Sequence, residues 1–122
     1  MKVEVRITKS FKRQAKKLLK KYASLSKELF DLQEQLKENP ELGTKLGNNS
    51  FKIRIKVKSK GKGKSGGLRT ITYVENEIVA VTEQDNDNKT TVNLISIYDK
   101  LKTESISDSE IKNLIDNREY PE

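Results

Sequence analysis

The amino-acid sequence predicts an α+β domain, with two N-terminal helices packed on one face of a twisted antiparallel sheet of about four to five strands and a short C-terminal helix. Apolar residues recur at helical spacing through the two segments that precede Pro40. Between residues 51 and 98 they instead alternate with polar residues, which is typical of strands. A chain of 122 residues is expected to form one domain, residues 1–122.

The first strand and the first helix are predicted within residues 2–22. Residues 2–7 alternate charged and apolar side chains, which indicates a strand. Thr8 or Ser10 can cap a helix over residues 9–22. The apolar stripe of this helix is Phe11, Ala15, Leu18, Leu19 and Tyr22. Its other face carries only cations, namely Lys12, Arg13, Lys16, Lys17, Lys20 and Lys21. Such a face is either simply solvated or extends a phosphate-binding surface.

The second helix is predicted from Leu25 to Asn39, because the residue before Pro40 avoids helical backbone angles. Its buried side is marked by leucines, namely Leu25, Leu29, Leu32 and Leu36. Residues 41–50 contain two glycines and two asparagines, so this segment is predicted to be a turn-rich connector.

The basic segment, Phe51 to Arg69, carries most of the positive charge. It holds eight lysine or arginine residues and no acid, whereas the rest of the chain has 17 basic and 18 acidic residues. Up to Lys58, apolar residues alternate with cations, which predicts a strand with one cationic face, and a glycine-rich lysine loop follows. Cations spaced about 7 Å apart along a strand suit a polyanion. The alternative is a solvated edge strand whose lysines block aggregation.

The remaining elements are, in order, a strand over 69–74, a bulge or tight turn at 75–77, a strand over 78–82, a polar hairpin tip at 83–89 and a strand over 91–98. Asp99 begins a loop. Ser107 and Glu110 then form a capping box that begins the last helix, which is predicted to end near Asn117. Residues 117–122 are expected to fray.

The composition excludes several kinds of chemistry. The chain has no histidine and no cysteine, so imidazole catalysis, thiolate catalysis and ordinary zinc sites are excluded. The acidic residues are scattered, which disfavours a two-metal site, and neither a metal nor a cofactor is predicted. No apolar run approaches the about 20 residues of a membrane span, and no secretory leader is visible. Together with the absence of cysteine, this favours a cytoplasmic protein without a membrane partner.

Two segments, Asn39 to Val74 and Leu94 to Lys100, resemble the RelE/ParE superfamily of toxins from type II toxin–antitoxin systems, and most closely its HigB-like branch. The resemblance implies a RelE-like fold and a small cytoplasmic toxin that acts as an mRNA interferase. Such a toxin is a ribosome-dependent endoribonuclease that cleaves mRNA without a metal, by attack of the 2′-hydroxyl on the adjacent phosphate. It also implies a cognate helix-turn-helix antitoxin, HigA-like, through which alone the complex would contact operator DNA.

The resemblance assigns roles to individual residues. Lys52 and Arg54 match basic residues on the family's second strand, Arg69 matches the arginine that begins the next strand, and Lys100 matches a basic residue after the last strand. Arg69 is expected to bind the scissile phosphate through its planar guanidinium group, which can contact two oxygens at once. The alternative is that Arg69 forms a surface ion pair with Glu83 or Asp99. RNA or phosphate binding is expected from Lys56, Lys58, Lys60, Lys62 and Lys64.

The sequence departs from the family at one catalytic position. The family's C-terminal tyrosine, which acts as a base, aligns near Ile106, which has no ionisable group. Tyr98 is the candidate substitute, and its alternative role is an aromatic side chain packed on the sheet. Two other functions therefore stay open: a ParE-like toxin that inhibits gyrase, and a non-catalytic basic module that binds RNA or the ribosome.

Overall fold

The computed structural model describes residues 2–60, 67–81, 86–101 and 105–122. The elements in chain order are β1 (Lys2–Ile7), α1 (Lys9–Lys21), α2 (Leu25–Glu38), β2 (Thr44–Gly47), β3 (Ser50–Ile55), a 3-10 turn (Lys58–Lys60), β4 (Leu68–Val81), β5 (Asn86–Asp99) and α3 (Asp108–Asp116). None of these helices has the length and apolar character that crossing a membrane requires.

The five strands form one sheet in the order β1-β5-β4-β3-β2. The pairs β2–β3, β3–β4 and β4–β5 are antiparallel. This orientation was predicted for the last two pairs, whereas β2 was not predicted as a strand. The first strand lies parallel to β5, so the sheet is mixed. This pairing is possible because the long path through α1, α2 and the other strands separates β1 from β5 in sequence. The predicted α+β fold class is confirmed.

Helices α1 and α2 cover one face of the sheet. The buried apolar residues of the two helices, among them Phe11, Leu25, Leu29, Leu32 and Leu36, form a core with the apolar residues of β3 and with Leu68, Val74, Val92 and Leu94. Thr8 is the residue that caps α1: its hydroxyl accepts a hydrogen bond from the Phe11 amide at 3.2 Å and donates one to the Leu94 carbonyl at 2.9 Å. The cap therefore also ties the start of α1 to β5.

Helix α3 covers the opposite face of the sheet. Ile111 and Ile115 of this helix belong to a second apolar cluster with Ile71, Ile95 and Tyr98. The predicted capping box is present, with reciprocal hydrogen bonds between Ser107 and Glu110. The sheet is therefore buried on both faces where α3 covers it, which explains why residues 92–99 of β5 are all buried.

The predicted connector at 41–50 is instead a β-hairpin. Strand β2 pairs with β3 through a two-residue turn at Asn48 and Asn49, whose φ angles are 51° and 57°. Two positive φ angles are the mark of a type I′ turn, and asparagine tolerates them better than most residues. The asparagine pair that suggested irregular structure is therefore what joins two strands.

The basic strand is shorter than predicted. Strand β3 ends at Ile55, and residues 58–60 form a 3-10 turn. The Lys58 amide donates to the Glu28 carboxylate at 2.8 Å, and the Ser59 amide donates to the Ser24 hydroxyl at 2.9 Å. These bonds draw the chain away from the sheet and towards the start of α2.

Strand β4 is longer than predicted. Residues 75–77 continue the strand and pair with residues 89–91 of β5, so the predicted turn there is wrong. The bulges lie instead between Ile71 and Thr72 and between Ile78 and Ala80. Strand β5 begins at Asn86, inside the predicted hairpin tip, while residues 82–85 lie outside the described ranges.

The expected fraying of residues 117–122 is also wrong. Arg118 forms an ion pair with Glu75 at 3.0 Å. The Tyr120 hydroxyl donates to the side chain of Asn93, and the Arg6 guanidinium lies 3.5 Å from the centre of the Tyr120 ring. These contacts hold the C-terminal segment against β1, β4 and β5.

Candidate functional site

The antiparallel pairing of three strands brings the predicted catalytic residues to one end of the sheet. Arg54 on β3 lies opposite Arg69 on β4, and Arg69 lies opposite Tyr98 on β5. Directly opposite residues share a face of the sheet, and neighbouring strands are about 4.8 Å apart. We call this row of three residues, together with Lys56 and Lys100 just beyond it, the cationic end.

The cations of the cationic end differ in exposure. Arg54, Lys56 and Lys100 are exposed. Lys58, on the 3-10 turn, is exposed as well, and Lys52, one row further into the sheet and opposite Ile71, is half-buried. Of the predicted phosphate-binding residues, Lys62 and Lys64 and the side chain of Lys60 lie outside the described residues.

Arg69 is buried, with 5% of its surface exposed. Its Nη1 donates to the Leu68 carbonyl at 3.3 Å. The backbone of Gly67 lies close to the end of β3 and to the Arg69 side chain. A Cβ built on Gly67 would lie 2.8 Å from the Ile55 carbonyl oxygen and 3.6 Å from Nη1 of Arg69. Arg69 is therefore not a surface cation, and a surface ion pair does not describe it. A phosphate can reach its guanidinium only after neighbouring atoms move.

Tyr98 is also buried and belongs to the apolar cluster beneath α3. Burial raises the pKa of Tyr98 above its ordinary value, and the nearby charge of Arg69 opposes this rise. The phenol therefore keeps its proton at neutral pH. This arrangement favours a hydrogen-bond donor or a general acid over the base that the family's tyrosine provides.

A buried carboxylate, which the sequence suggested only as a possible surface partner of Arg69, lies beside this site. Asp99 ends β5 opposite Leu68 and is 6% exposed. Its Oδ2 accepts a hydrogen bond from the Tyr22 hydroxyl at 3.1 Å, and its Oδ1 accepts one from the Leu101 amide at 3.0 Å. The signal in the sequence was that Tyr22 ends the apolar stripe of α1 with a polar atom that needs a partner.

Acidic side chains of α2 lie near Arg54 and Lys56. A surface depression beside Arg54 and Lys56 is also lined by Glu28 and Asp31 of α2. Asp31 is 3.5 Å from the Lys27 ammonium. The negative charges of α2 therefore weaken the positive potential on one side of the cationic end.

A second cationic surface lies on α1, on the other side of the sheet from α3. Seven basic side chains of this helix are exposed, and the helix contains no acid: Lys9, Lys12, Arg13, Lys16, Lys17, Lys20 and Lys21. The positive charge of the folded chain is therefore divided between two surfaces, whereas the sequence suggested one concentration in the basic segment.

Within the described ranges, no three acidic side chains form a group that could hold a metal ion. Comparison of the chain with protein-family models and with curated proteins finds no match to either.

Proposed function

We propose that this chain is the toxin of a type II toxin–antitoxin system of the RelE/HigB-like kind, and that it cleaves mRNA on the ribosome. The observation that carries the proposal is the row formed by Arg54, Arg69 and Tyr98, with exposed lysines just beyond it. An endoribonuclease of this kind needs no metal, because RNA supplies its own nucleophile. The protein must align the 2′-hydroxyl with the adjacent phosphate and stabilise the charge that develops there.

The residues of the cationic end divide these tasks. The exposed cations Arg54, Lys56 and Lys100 contact the phosphates that flank the cleavage site, and Lys52 and Lys58 extend the same track. Arg69 contacts the scissile phosphate after bound RNA has displaced the atoms that cover it. A guanidinium in a site of low dielectric constant stabilises the transition state more strongly than one in water.

Proton transfer is assigned to Tyr98 as an acid rather than a base. Its raised pKa keeps the phenol protonated, so it can donate to the leaving 5′-oxygen. As the 2′-oxygen forms its bond to phosphorus and the bond to the 5′-oxygen breaks, the proton of the 2′-hydroxyl passes to solvent water, and water later returns a proton to Tyr98. The proposed partners are the ribosome, mRNA and a helix-turn-helix antitoxin, and the proposed location is the cytoplasm.

One observation favours a second candidate, a non-catalytic module that binds RNA or the ribosome. Both Arg69 and Tyr98 are more than nine-tenths buried, whereas the surrounding cations are exposed. Exposed cations alone give binding without cleavage. A gyrase inhibitor of the ParE kind is less well supported, because it gives no role to the cationic end.

Expression in a bacterium separates the three functions. Mapping of RNA 5′ ends after induction should reveal new mRNA ends within translated codons if the chain is a ribosome-dependent endoribonuclease. DNA breaks with induced repair and intact mRNA would support the gyrase inhibitor. Ribosome association without mRNA cleavage or DNA damage would support the binding module. The same assay with purified translating ribosomes and an Arg54→Ala variant then links cleavage to the cationic end.

A further inference from the structure

An apolar groove with a volume of about 740 Å³ runs between α1 and α2. Phe11, Ala15 and Leu29 line it and also belong to the core beneath the helices. Leu19 and Phe30 line it as well, and they are 39% and 61% exposed. Apolar side chains grouped around one groove, rather than scattered singly, mark a surface that binds a partner.

The rim of the groove on the α1 side carries only positive charge. Lys12, Lys16 and Lys20 line it, are all exposed and follow one another at intervals of four residues. On the α2 side the polar lining residues are the neutral Ser26 and Gln33. None of the four acids of α2 lines the groove. Three of them are engaged elsewhere: Glu28 with the Lys58 amide, Asp31 with Lys27 and Glu34 with Lys37.

These two features together specify the partner. Lysines four residues apart on a helix are about 6 Å from one another, which is also the spacing of carboxylates on one face of a second helix. A nucleic acid would satisfy the lysines but has no apolar side chains to fill the space between Leu19 and Phe30. A second copy of α1 would bring like charges together.

We propose that the α1–α2 groove binds an amphipathic helix of a partner protein, whose apolar side chains fill the groove and whose acidic side chains contact Lys12, Lys16 and Lys20. The groove and the Arg69–Tyr98 pair lie on opposite faces of the sheet, since α1 and α2 cover one face and Tyr98 lies beneath α3 on the other. The inference does not depend on the proposed function.

The probe is a labelled synthetic peptide of about 18 residues, long enough to form a helix, with leucines at helical spacing and glutamates elsewhere. Fluorescence anisotropy against the full chain measures its affinity. We expect saturable binding that Phe30→Glu weakens by about tenfold or more, because the central anchor is lost. Leu101→Glu is the matched control: Leu101 is 71% exposed and lies outside the groove, so this variant should bind as the unaltered chain does.

The contribution of the lysines to peptide binding is tested by charge reversal on α1. The triple variant Lys12→Glu, Lys16→Glu, Lys20→Glu should weaken binding by about tenfold or more. The triple variant Arg13→Glu, Lys17→Glu, Lys21→Glu changes net charge equally at positions outside the groove and should weaken binding much less. Equal losses for the two triple variants, or binding unaffected by Phe30→Glu, would overturn the proposal. So would competition by polyuridylate, or a dimer of the chain that Phe30→Glu dissociates.

Discussion

Arg69 lies directly opposite Tyr98 across β4 and β5, and the two side chains are 5% and 8% exposed. A guanidinium and a phenol are thus held together in a buried site at the end of the sheet where exposed cations gather. This pair can act on RNA only if the site opens, and it can shape the pH dependence of the folded chain whether or not it opens.

Tyr98→Phe tests the phenol with almost no change in packing. If Tyr98 donates a proton to the leaving oxygen, the rate of mRNA cleavage on purified ribosomes should fall by about 100-fold or more. The free energy of unfolding at pH 7 should change little, because the ring stays in the cluster with Ile111 and Ile115. Tyr73→Phe, on the same face of the sheet but outside the row, is the control and should cleave normally.

The raised pKa of Tyr98 also predicts how stability depends on pH. The folded state holds this proton more tightly than the unfolded state, whose phenol titrates near the ordinary value of 10.0. The associated stability is fully present below that pH and is lost as the pH rises through the higher pKa of the folded state. Chemical denaturation at several pH values above 10 should therefore show a steeper loss of stability for the unaltered chain than for Tyr98→Phe. Parallel losses would contradict this.

Arg69→Ala should abolish cleavage, with a loss of about 100-fold or more, because the transition state loses its closest cation. Arg69 is buried, so thermal unfolding must show that the variant is folded under assay conditions. Arg69→Lys retains the charge without the planar fork and should recover only part of the activity. Growth arrest by a folded Arg69→Ala variant at equal expression would exclude this residue from catalysis.

Structural features that depend on neighbouring residues in the sequence were predicted, whereas features that depend on distant residues were missed. The fold class, both helix caps and the Leu25–Glu38 helix were predictable, because they rest on apolar period and on capping residues next to the helix they cap. The β2–β3 hairpin was missed because its turn uses Asn48 and Asn49, which also occur in irregular loops. The docking of Arg118 and Tyr120 was missed because their partners, Glu75 and Asn93, are distant in sequence.

The residues of the candidate site were identified from the sequence, but their register was not. Arg54 and Arg69 were expected from the family resemblance and Tyr98 as a substitute for the missing tyrosine, and only the pairing of β3, β4 and β5 shows that the three residues form one row. Strand alternation gives the face of a residue, but not what covers that face. Packing of Tyr98 on the sheet was the alternative expected from the sequence, and the structure shows this side chain buried. The burial of Arg69 depends on how other parts of the chain pack over the sheet, and the sequence carried no local signal for it.

Tyr22→Phe tests the link between α1 and the end of β5. The change removes the hydrogen bond to Oδ2 of Asp99 and should lower the free energy of unfolding by about 1–2 kcal/mol. A double-mutant cycle with Asp99→Asn isolates the pair: the two losses should be less than additive, because each change removes the same interaction. Tyr120→Phe, at the other end of the sheet, should add to either loss independently.

Removal of metal should not affect cleavage, because the chain has neither histidine nor cysteine to hold a transition metal. The purified chain is dialysed against a chelator and then assayed on intact ribosomes in magnesium buffer. The cleavage rate should equal that of untreated protein. A lower rate that returns only when a transition metal is added would contradict the proposed mechanism.

Gly43→Ala tests the close contact at the start of β2. Gly43 has a φ of +103°, and a Cβ there would lie 2.5 Å from the Lys52 carbonyl oxygen on β3. Gly47 has the same φ of +103° but nothing within 4 Å of its Cβ position. Gly47→Ala therefore measures backbone strain alone, which should cost about 1–2 kcal/mol, and Gly43→Ala should cost at least about 1 kcal/mol more. Equal losses in urea unfolding would show that β2 moves away from Lys52 without penalty, and the cleavage activity of Gly43→Ala then indicates whether Lys52 must be held in place.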